Sequence, residues 1–390
     1  PTLARVLVLG SLVGGGVLLV LGASREAGPR MVGAGLMVAS LGVVKLARRG
    51  PWAVLAAEPD LAGDVRRHGL LAALSLYPLR RRGEAPLRPL AFGEADRGEE
   101  APLVVVVQCE SFADPGWMRW PAGVAAPPLP GLDAARARAH RSGRLAVSGF
   151  GAYTMRTEYG VLFGRGEAEL GFRRFDPFLS VGAAERGSAL PRRLPNGKQR
   201  PAVFVHPHAL GFYGRDRLMP AIGFDRVIGE DGFGNAPLRG PHVADAALGD
   251  VLEGLLDRRD GEGAPRLVYA VTIENHGPWR AGRLPGSPDG LGAWFEHLRA
   301  GDALLSRLVE RLERDGRRAV LCFFGDHRPS IPGAVRPGPD RDTPFVLMRF
   351  GWDGERGTGA AEERLTPAEL HHAILAAAGI DAGEEGGGGG

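Results

Sequence analysis

Four apolar runs in this chain end in the same way. Residues 103–109 (LVVVVQC) lead into Glu110, and 202–205 (AVFV) lead into His206. Residues 266–273 (RLVYAVTI) lead into Glu274-Asn275-His276, and 319–324 (AVLCFF) into Gly325-Asp326-His327. Carboxylates and imidazoles are the side chains that ligate divalent cations and move protons. Any one of them could be a solvated strand end, but their convergence on one edge is what a metal site needs. Glu110, Asp326 and His327 would supply a mixed oxygen and nitrogen set. Such a set suits Mn²⁺ or Zn²⁺, with Mg²⁺ as an alternative, and does not suit soft-metal chemistry. A metal-assisted transfer also needs a nucleophile. Residues 148–160 (SGFGAYTMRTEYG) read as a glycine-rich turn entering a helix. A hydroxyl at a helix N-terminus beside a cation has its alkoxide stabilised by both. Thr154 is the first candidate and Thr157 the second. The competing role for Thr154 is that of an N-cap, with Glu158 in the first turn.

The positioning elements follow from the pattern. Runs without polar alternation read as buried strands of a parallel sheet, and Gly325 reads as the residue that lets the last of them turn sharply. Between the strands, 292–314 and 366–378 show helical apolar spacing. Thr366-Pro367-Ala368-Glu369 has the form of a helix start, with a Thr cap, a Pro at the first position and a Glu three residues on. Residues 345–350 add a further strand. Alternation of this kind predicts an α/β fold: a mostly parallel central sheet with helices on both faces, whose ligands gather at the strands' C-terminal edge.

At 390 residues the chain has room for one large α/β domain and an appendage. Its net charge is +3, and no basic block is interleaved with aromatics, so nucleic acid is not an expected partner. The two cysteines, Cys109 and Cys322, exclude a disulfide scaffold or a cysteine zinc site. Both lie in apolar runs and read as small buried hydrophobes. Residues 3–23 are almost continuously apolar, about the length that crosses a bilayer, and 31–46 form a second, shorter run. We therefore expect a transmembrane hairpin over 1–50, as part of a longer membrane region. Arginines flank both runs, so charge leaves the orientation open. Residues 51–101 read as a juxtamembrane connector with one helix around 61–76, and the charged stretch 93–102 as the boundary of the main domain. The glycine-rich tail, 381–390, reads as disordered.

Five motifs occur in a fixed order: Gln108-Cys109-Glu110-Ser111-Phe112, residues 151–159 (GAYTMRTEY), His206 followed by 212–216 (FYGRD), Glu274-Asn275-His276 and Gly325-Asp326-His327. Together they resemble the sulfatase-like phosphoglycerol transferases of the alkaline phosphatase superfamily, the lipoteichoic acid synthase family, over residues 102–380. The resemblance implies that Glu110, Thr154, Asp326 and His327 bind one Mn²⁺. It implies that Thr154 is the nucleophile and forms a covalent glycerophosphate intermediate. His206, Tyr213, Arg215 and His276 would hold the donor's phosphate and glycerol, with His276 also able to protonate the leaving alkoxide. The implied reaction is glycerol phosphate transfer from a phosphatidylglycerol-type lipid to a glycan or polymer acceptor. Its implied place is the periplasmic or extracellular side of a bacterial cytoplasmic membrane. The alternatives are a metal-dependent phosphodiesterase or phosphatase using water, and a metal-free binding domain. Tyr213 stands where the synthases usually carry tryptophan, and His208 and Gly214 replace residues that are commonly amides. Thr154-Met155-Arg156-Thr157 lacks the Cys/Ser-x-Pro-x-Arg pattern of true sulfatases. Two cysteines also fall short of the several disulfides usual in phosphoethanolamine transferases.

Overall fold

The computed structural model describes residues 58–90, 101–195, 200–258, 263–352 and 361–380. The apolar runs at 3–23 and 31–46, most of the charged boundary and the tail lie outside the described residues. Among the described residues, no helix is long and apolar enough to cross a membrane.

One compact unit combines the described part of the chain up to Pro86 with Leu170–Phe175. Where the sequence suggests a single helix, there are two, Leu61–His68 and Leu70–Gly83. They part at Gly69, whose φ of 87° costs glycine no Cβ clash. Asp60 caps the first helix by accepting from the Gly63 amide at 3.0 Å. Tyr77 stands edge-on to Phe172 at 4.9 Å, and its hydroxyl donates to Asp64 at 2.8 Å.

The other unit is built on strands β1 (Leu103–Cys109), β2 (Arg141–Leu145), β3 (Ala202–Val205), β4 (Arg226–Ile228), β5 (Leu238–Arg239), β6 (His242–Val243), β7 (Leu267–Val271), β8 (Ala319–Gly325), β9 (Thr343–Phe350) and β10 (Glu363–Leu365). The main sheet has the order β10-β2-β9-β8-β1-β7-β3-β4, and β5 pairs with β6 as a separate antiparallel hairpin. Neighbours from β8 through β1, β7 and β3 to β4 are parallel, whereas β9 runs antiparallel to both β8 and β2.

All seven residues of β1 are buried. Leu103, Val105, Val107 and Cys109 join one apolar cluster with Leu298, Leu305 and Leu308 of the helix Gly290–Asp315 and Leu248 and Leu252 of the helix Asp245–Leu256. Each fully buried valine there contributes on the order of 1.5–3 kcal/mol. Gln108 turns to the opposite face and meets Glu158 of the helix Thr154–Phe163 at 3.5 Å. The helix Pro367–Ala377 lies against that helix, so close at Gly160 that a Cβ there would stand 2.5 Å from Pro367. Thr366 and Glu369 form the reciprocal capping box that their spacing predicts. A cap of another kind joins distant elements: the Asp302 carboxylate accepts from the Gly131 and Leu132 amides at 2.9 and 2.7 Å, holding the start of the helix Pro130–Arg136.

Register decides what reaches the edge. Cys109 sits opposite Gly325, and Ala270 opposite both Val107 and Val205. Glu110, His206, Glu274 and Asp326 therefore emerge at the same end of four adjoining strands. Gly325 is needed for a reason other than a turn: a Cβ there would lie 1.8 Å from the Phe112 carbonyl oxygen. The close approach of β8 to the segment leaving β1, not a left-handed backbone, demands glycine.

Candidate active site

Glu110, Asp326 and His327 are buried, and one ligand atom from each lies within 4.8 Å of the others. Their positions are fixed by backbone and hydroxyl partners. The Glu110 amide donates to Thr272 Oγ1 at 2.9 Å. Asp326 Oδ1 accepts from the amides of Ser111 (2.8 Å) and His327 (2.9 Å). Ser111 Oγ donates to Glu110 Oε1 at 2.9 Å. His327 Nδ1 lies 3.1 Å from the Arg328 carbonyl, which makes Nδ1 the N–H donor. Nε2 then presents its lone pair, 3.4 Å from Glu110 Oε1 and 3.5 Å from Asp326 Oδ2. A ring fixed by a carbonyl behind it is the usual setting of a metal-ligating histidine.

The electrostatics suit a cation. Burial first, and then the charge of Asp326, push the Glu110 carboxyl up, while His327 and His276 pull it the other way. Burial works to lower the His327 pKa, yet Asp326 and Glu110 carry it above its usual value. The field that favours an imidazolium there favours a divalent ion equally. Asp326 Oδ2 is buried and accepts no hydrogen bond, an oxygen aimed at the cluster that a metal would satisfy. The donor set thus fits a divalent cation.

Thr154 is brought to this cluster. It is the first residue of its helix rather than the cap, a position taken by Tyr153 in the left-handed region (φ 77°). Its Oγ1 lies 3.4 Å from His327 Nε2. Thr157, the second candidate, donates its hydroxyl to the Asp326 carbonyl at 2.8 Å and so ties the helix to the end of β8.

The remaining residues named from the sequence surround this centre on the β3–β7 side. His206 is buried, with Nδ1 3.0 Å from the Val271 carbonyl. Burial and then Arg215 hold its pKa well below the usual range, so the ring is neutral. Arg215 is buried and pairs two-pronged with Glu158: Nε reaches Oε1 at 3.0 Å, and Nη2 meets Oε2. Tyr213 lies 5.0 Å under the Arg215 guanidinium. Burial raises its pKa, with Glu110 among the acidic groups that add to the effect. His276 is exposed at the rim, and Nδ1 lies 2.8 Å from the Gly277 carbonyl.

Other residues complete the site without a clear signal in the sequence. Glu158 is a helix-start acid in sequence but in space the counter-ion of Arg215, linked through Gln108 to the Tyr269 hydroxyl at 3.1 Å. Ser111 has φ 52°, and its carbonyl accepts from Trp294 Nε1 at 3.2 Å. Glu274, beside His276 in sequence, turns inward instead. Its Oε1 meets His297 Nδ1 at 2.8 Å, and its Oε2 accepts the Asp245 amide at 2.7 Å. Cys109 and Cys322 are buried free thiols.

The sulfatase family model matches residues 102–380. The capsular polysaccharide biosynthesis protein RkpI of Rhizobium meliloti (strain 1021) is 32% identical over 251 residues, 64% of this chain and 45% of that protein. The chain spans about half the length of the curated relatives it matches. Among solved structures, the lipoteichoic acid synthase LtaP from Listeria monocytogenes is similar at a TM-score of 0.55, with 20% identity and 75% of each chain covered. The Streptococcus pyogenes phosphoglycerol transferase GacH, in complex with sn-glycerol-1-phosphate, is similar at 0.52, with 14% identity over 77% of this chain and 79% of that one. At such identities the structural likeness is one of fold alone. The family match covers all the strand ends described above, and the chain belongs to the sulfatase family.

Proposed function

We propose that this chain carries a metal-dependent phosphoglycerol transferase, moving sn-glycerol 1-phosphate from phosphatidylglycerol to a glycan or polymer acceptor. The observation that carries the reading is the Thr154 hydroxyl at a helix start, 3.4 Å from the ring nitrogen of His327 and beside Glu110 and Asp326. In this reading Glu110, Asp326, His327 and Thr154 hold one divalent cation, Mn²⁺ by preference, and Zn²⁺ or Mg²⁺ as alternatives. When bound, the ion supplies positive charge where phosphoryl oxygens gather negative charge.

The chain's own residues do the rest. Thr154 Oγ1 attacks phosphorus, and the N-terminal helix dipole favours its alkoxide. Arg215 Nη1, the nitrogen not spent on Glu158, offers a donor to a phosphate oxygen, and His206 and Tyr213 orient the headgroup. His276, exposed at the rim, gives a proton to the diacylglycerol oxygen as its bond to phosphorus breaks. An acceptor hydroxyl then gives its proton to the now neutral His276 as its oxygen bonds to phosphorus, displacing the Thr154 alkoxide and taking the glycerophosphoryl group. RkpI, by its name a polysaccharide biosynthesis protein, supports a glycan as acceptor. The apolar runs at 3–23 and 31–46 support a membrane anchor, which would hold the site near a lipid headgroup. The family resemblance supports a site outside the cytoplasmic membrane.

The test is turnover by the full chain with Mn²⁺ on vesicles of phosphatidylglycerol or phosphatidylethanolamine. Diacylglycerol release from phosphatidylglycerol, with a glycerophosphoryl adduct on the Thr154 peptide by mass spectrometry, is expected. Thr154→Ala should lower turnover by about three orders of magnitude or more while retaining bound Mn²⁺. Release from phosphatidylethanolamine alone would make the chain a phosphoethanolamine transferase. Free glycerol phosphate, formed as fast with a glycan present as without, would make it a hydrolase.

A further inference from the structure

Beyond the residues assigned above, the site has a second row of imidazoles. His206 stands edge-on to His208 at 5.9 Å, His208 to His242 at 6.0 Å, and His242 to His276 at 5.6 Å. His276 lies close enough to Glu110 to pull on its carboxyl, so the row runs along the catalytic cluster. His208 and His242 are half-buried, and among the described residues their ring nitrogens meet no hydrogen-bonding partner. Imidazoles left over from packing usually find a carbonyl or a carboxylate, as His297 and His371 do here.

His242 is also delivered deliberately. It opens β6, and both ends of its hairpin are fastened to Glu274. Arg239 of β5 donates to Glu274 Oε1 at 3.3 Å, and the Asp245 amide just beyond β6 donates to Oε2 at 2.7 Å. Glu274 is fixed in turn by His297, whose Nε2 accepts from Arg283 at 3.0 Å. A buried carboxylate with this many partners holds the hairpin, and so the ring, at one distance from His276.

We propose that His208 and His242 are substrate-binding residues that extend the donor site, taking the phosphate and hydroxyl oxygens of a phosphoglycerol group. The proposal rests on the phosphoglycerol reading of the site. A neutral imidazole offers one donor and one acceptor, which matches a phosphate oxygen beside a glycerol hydroxyl. Both rings are held neutral: burial and then Arg283, His276 and His208 keep His242 at about 4, and burial also lowers His208, against the pull of Glu230. Arg215, Arg283 and His276 face the pair, while Glu230 is the acidic group that faces His208.

The experiment is calorimetric titration of the Mn²⁺-loaded full chain with soluble sn-glycerol 1-phosphate, alongside turnover on phosphatidylglycerol vesicles. It compares wild type with His242→Gln and His208→Gln. Each variant is expected to bind the soluble ligand about tenfold more weakly and to raise KM on vesicles similarly, with kcat within about threefold and Mn²⁺ content unchanged. His208→Gln removes none of the hydrogen bonds that anchor the hairpin to Glu274, so its loss would not be a folding effect. Unaltered binding in both variants would overturn the inference and leave the phosphoglycerol reading standing. Loss confined to vesicles would assign the rings to the lipid surface, and loss of bound Mn²⁺ would assign them to metal; either overturns it. A wild type that neither binds glycerol 1-phosphate nor releases diacylglycerol would overturn the phosphoglycerol reading itself, and the inference with it.

Discussion

Ser111 adopts a left-handed backbone (φ 52°) without being glycine, a conformation that costs an L-residue roughly 1–2 kcal/mol. The strain is matched by what it allows. From that twist the amide reaches Asp326, the hydroxyl reaches Glu110, and the carbonyl accepts from Trp294. One residue thus orients two carboxylates that come from different strands. Ser111→Ala keeps the amide contact and the strain but loses the hydroxyl, so Mn²⁺ affinity should fall about tenfold or more by calorimetry. Ser111→Gly loses the same hydroxyl but relieves the twist, and should melt higher than Ser111→Ala. Equal affinity in wild type and both variants would remove Ser111 from the metal's surroundings. In the sequence Ser111 stands in a visible motif, but its φ does not. The twist comes from the way β1 meets β8, and no neighbouring residue type encodes it.

Strands and helices set how much of this can be read in advance. β1, β7 and β8 are legible because strands buried on both faces must be apolar throughout, and the residues that break the run mark the functional edge. The helix Pro367–Ala377 is legible through its cap. The hairpin carrying His242 is not, since two-residue strands are too short to show any period. Its anchors, Arg239 and Glu274, lie 35 positions apart. The orientation of Glu274 is equally hidden: the sequence sets it next to His276, while the turn after β7 buries Glu274 and leaves His276 exposed. Gly325 tests how tightly one element constrains another. Its missing Cβ makes room for the Phe112 carbonyl, and a Cβ there would also lie 3.1 Å from the Thr343 Cβ. Gly325→Ala should therefore cost about 1–3 kcal/mol in chemical denaturation. Because Asp326 and His327 follow directly, Mn²⁺ affinity should fall in the same variant. A stable variant with normal affinity would show that the strand end can shift freely.

At the scale of the whole molecule, titration of the core shapes the response to acid. His371 is fully buried on the helix Pro367–Ala377, with Nδ1 2.8 Å from the Val161 carbonyl. Burial holds its pKa at about 3, whereas the unfolded chain's histidine titrates near about 6.5. Between those values the unfolded state binds a proton that the folded state does not. The stability contribution is complete above about pH 6.5 and is lost as pH falls toward about 3, by up to about 1.4 kcal/mol per pH unit. Melting of the wild type from pH 7.5 to 4.5 (about three units) should steepen on the acid side, and His371→Gln should flatten that limb. An identical acid limb in the variant would place the sensitivity elsewhere. A longer-range effect follows from where Glu110 and Asp326 sit along the chain. The Ser111 amide and the Asp326 carboxylate it holds are 215 positions apart, so an ion shared between Glu110 and Asp326 would act as a reversible staple, closing most of the domain into one ring. Loading the cofactor would then also protect the chain from proteases that wait for it to open.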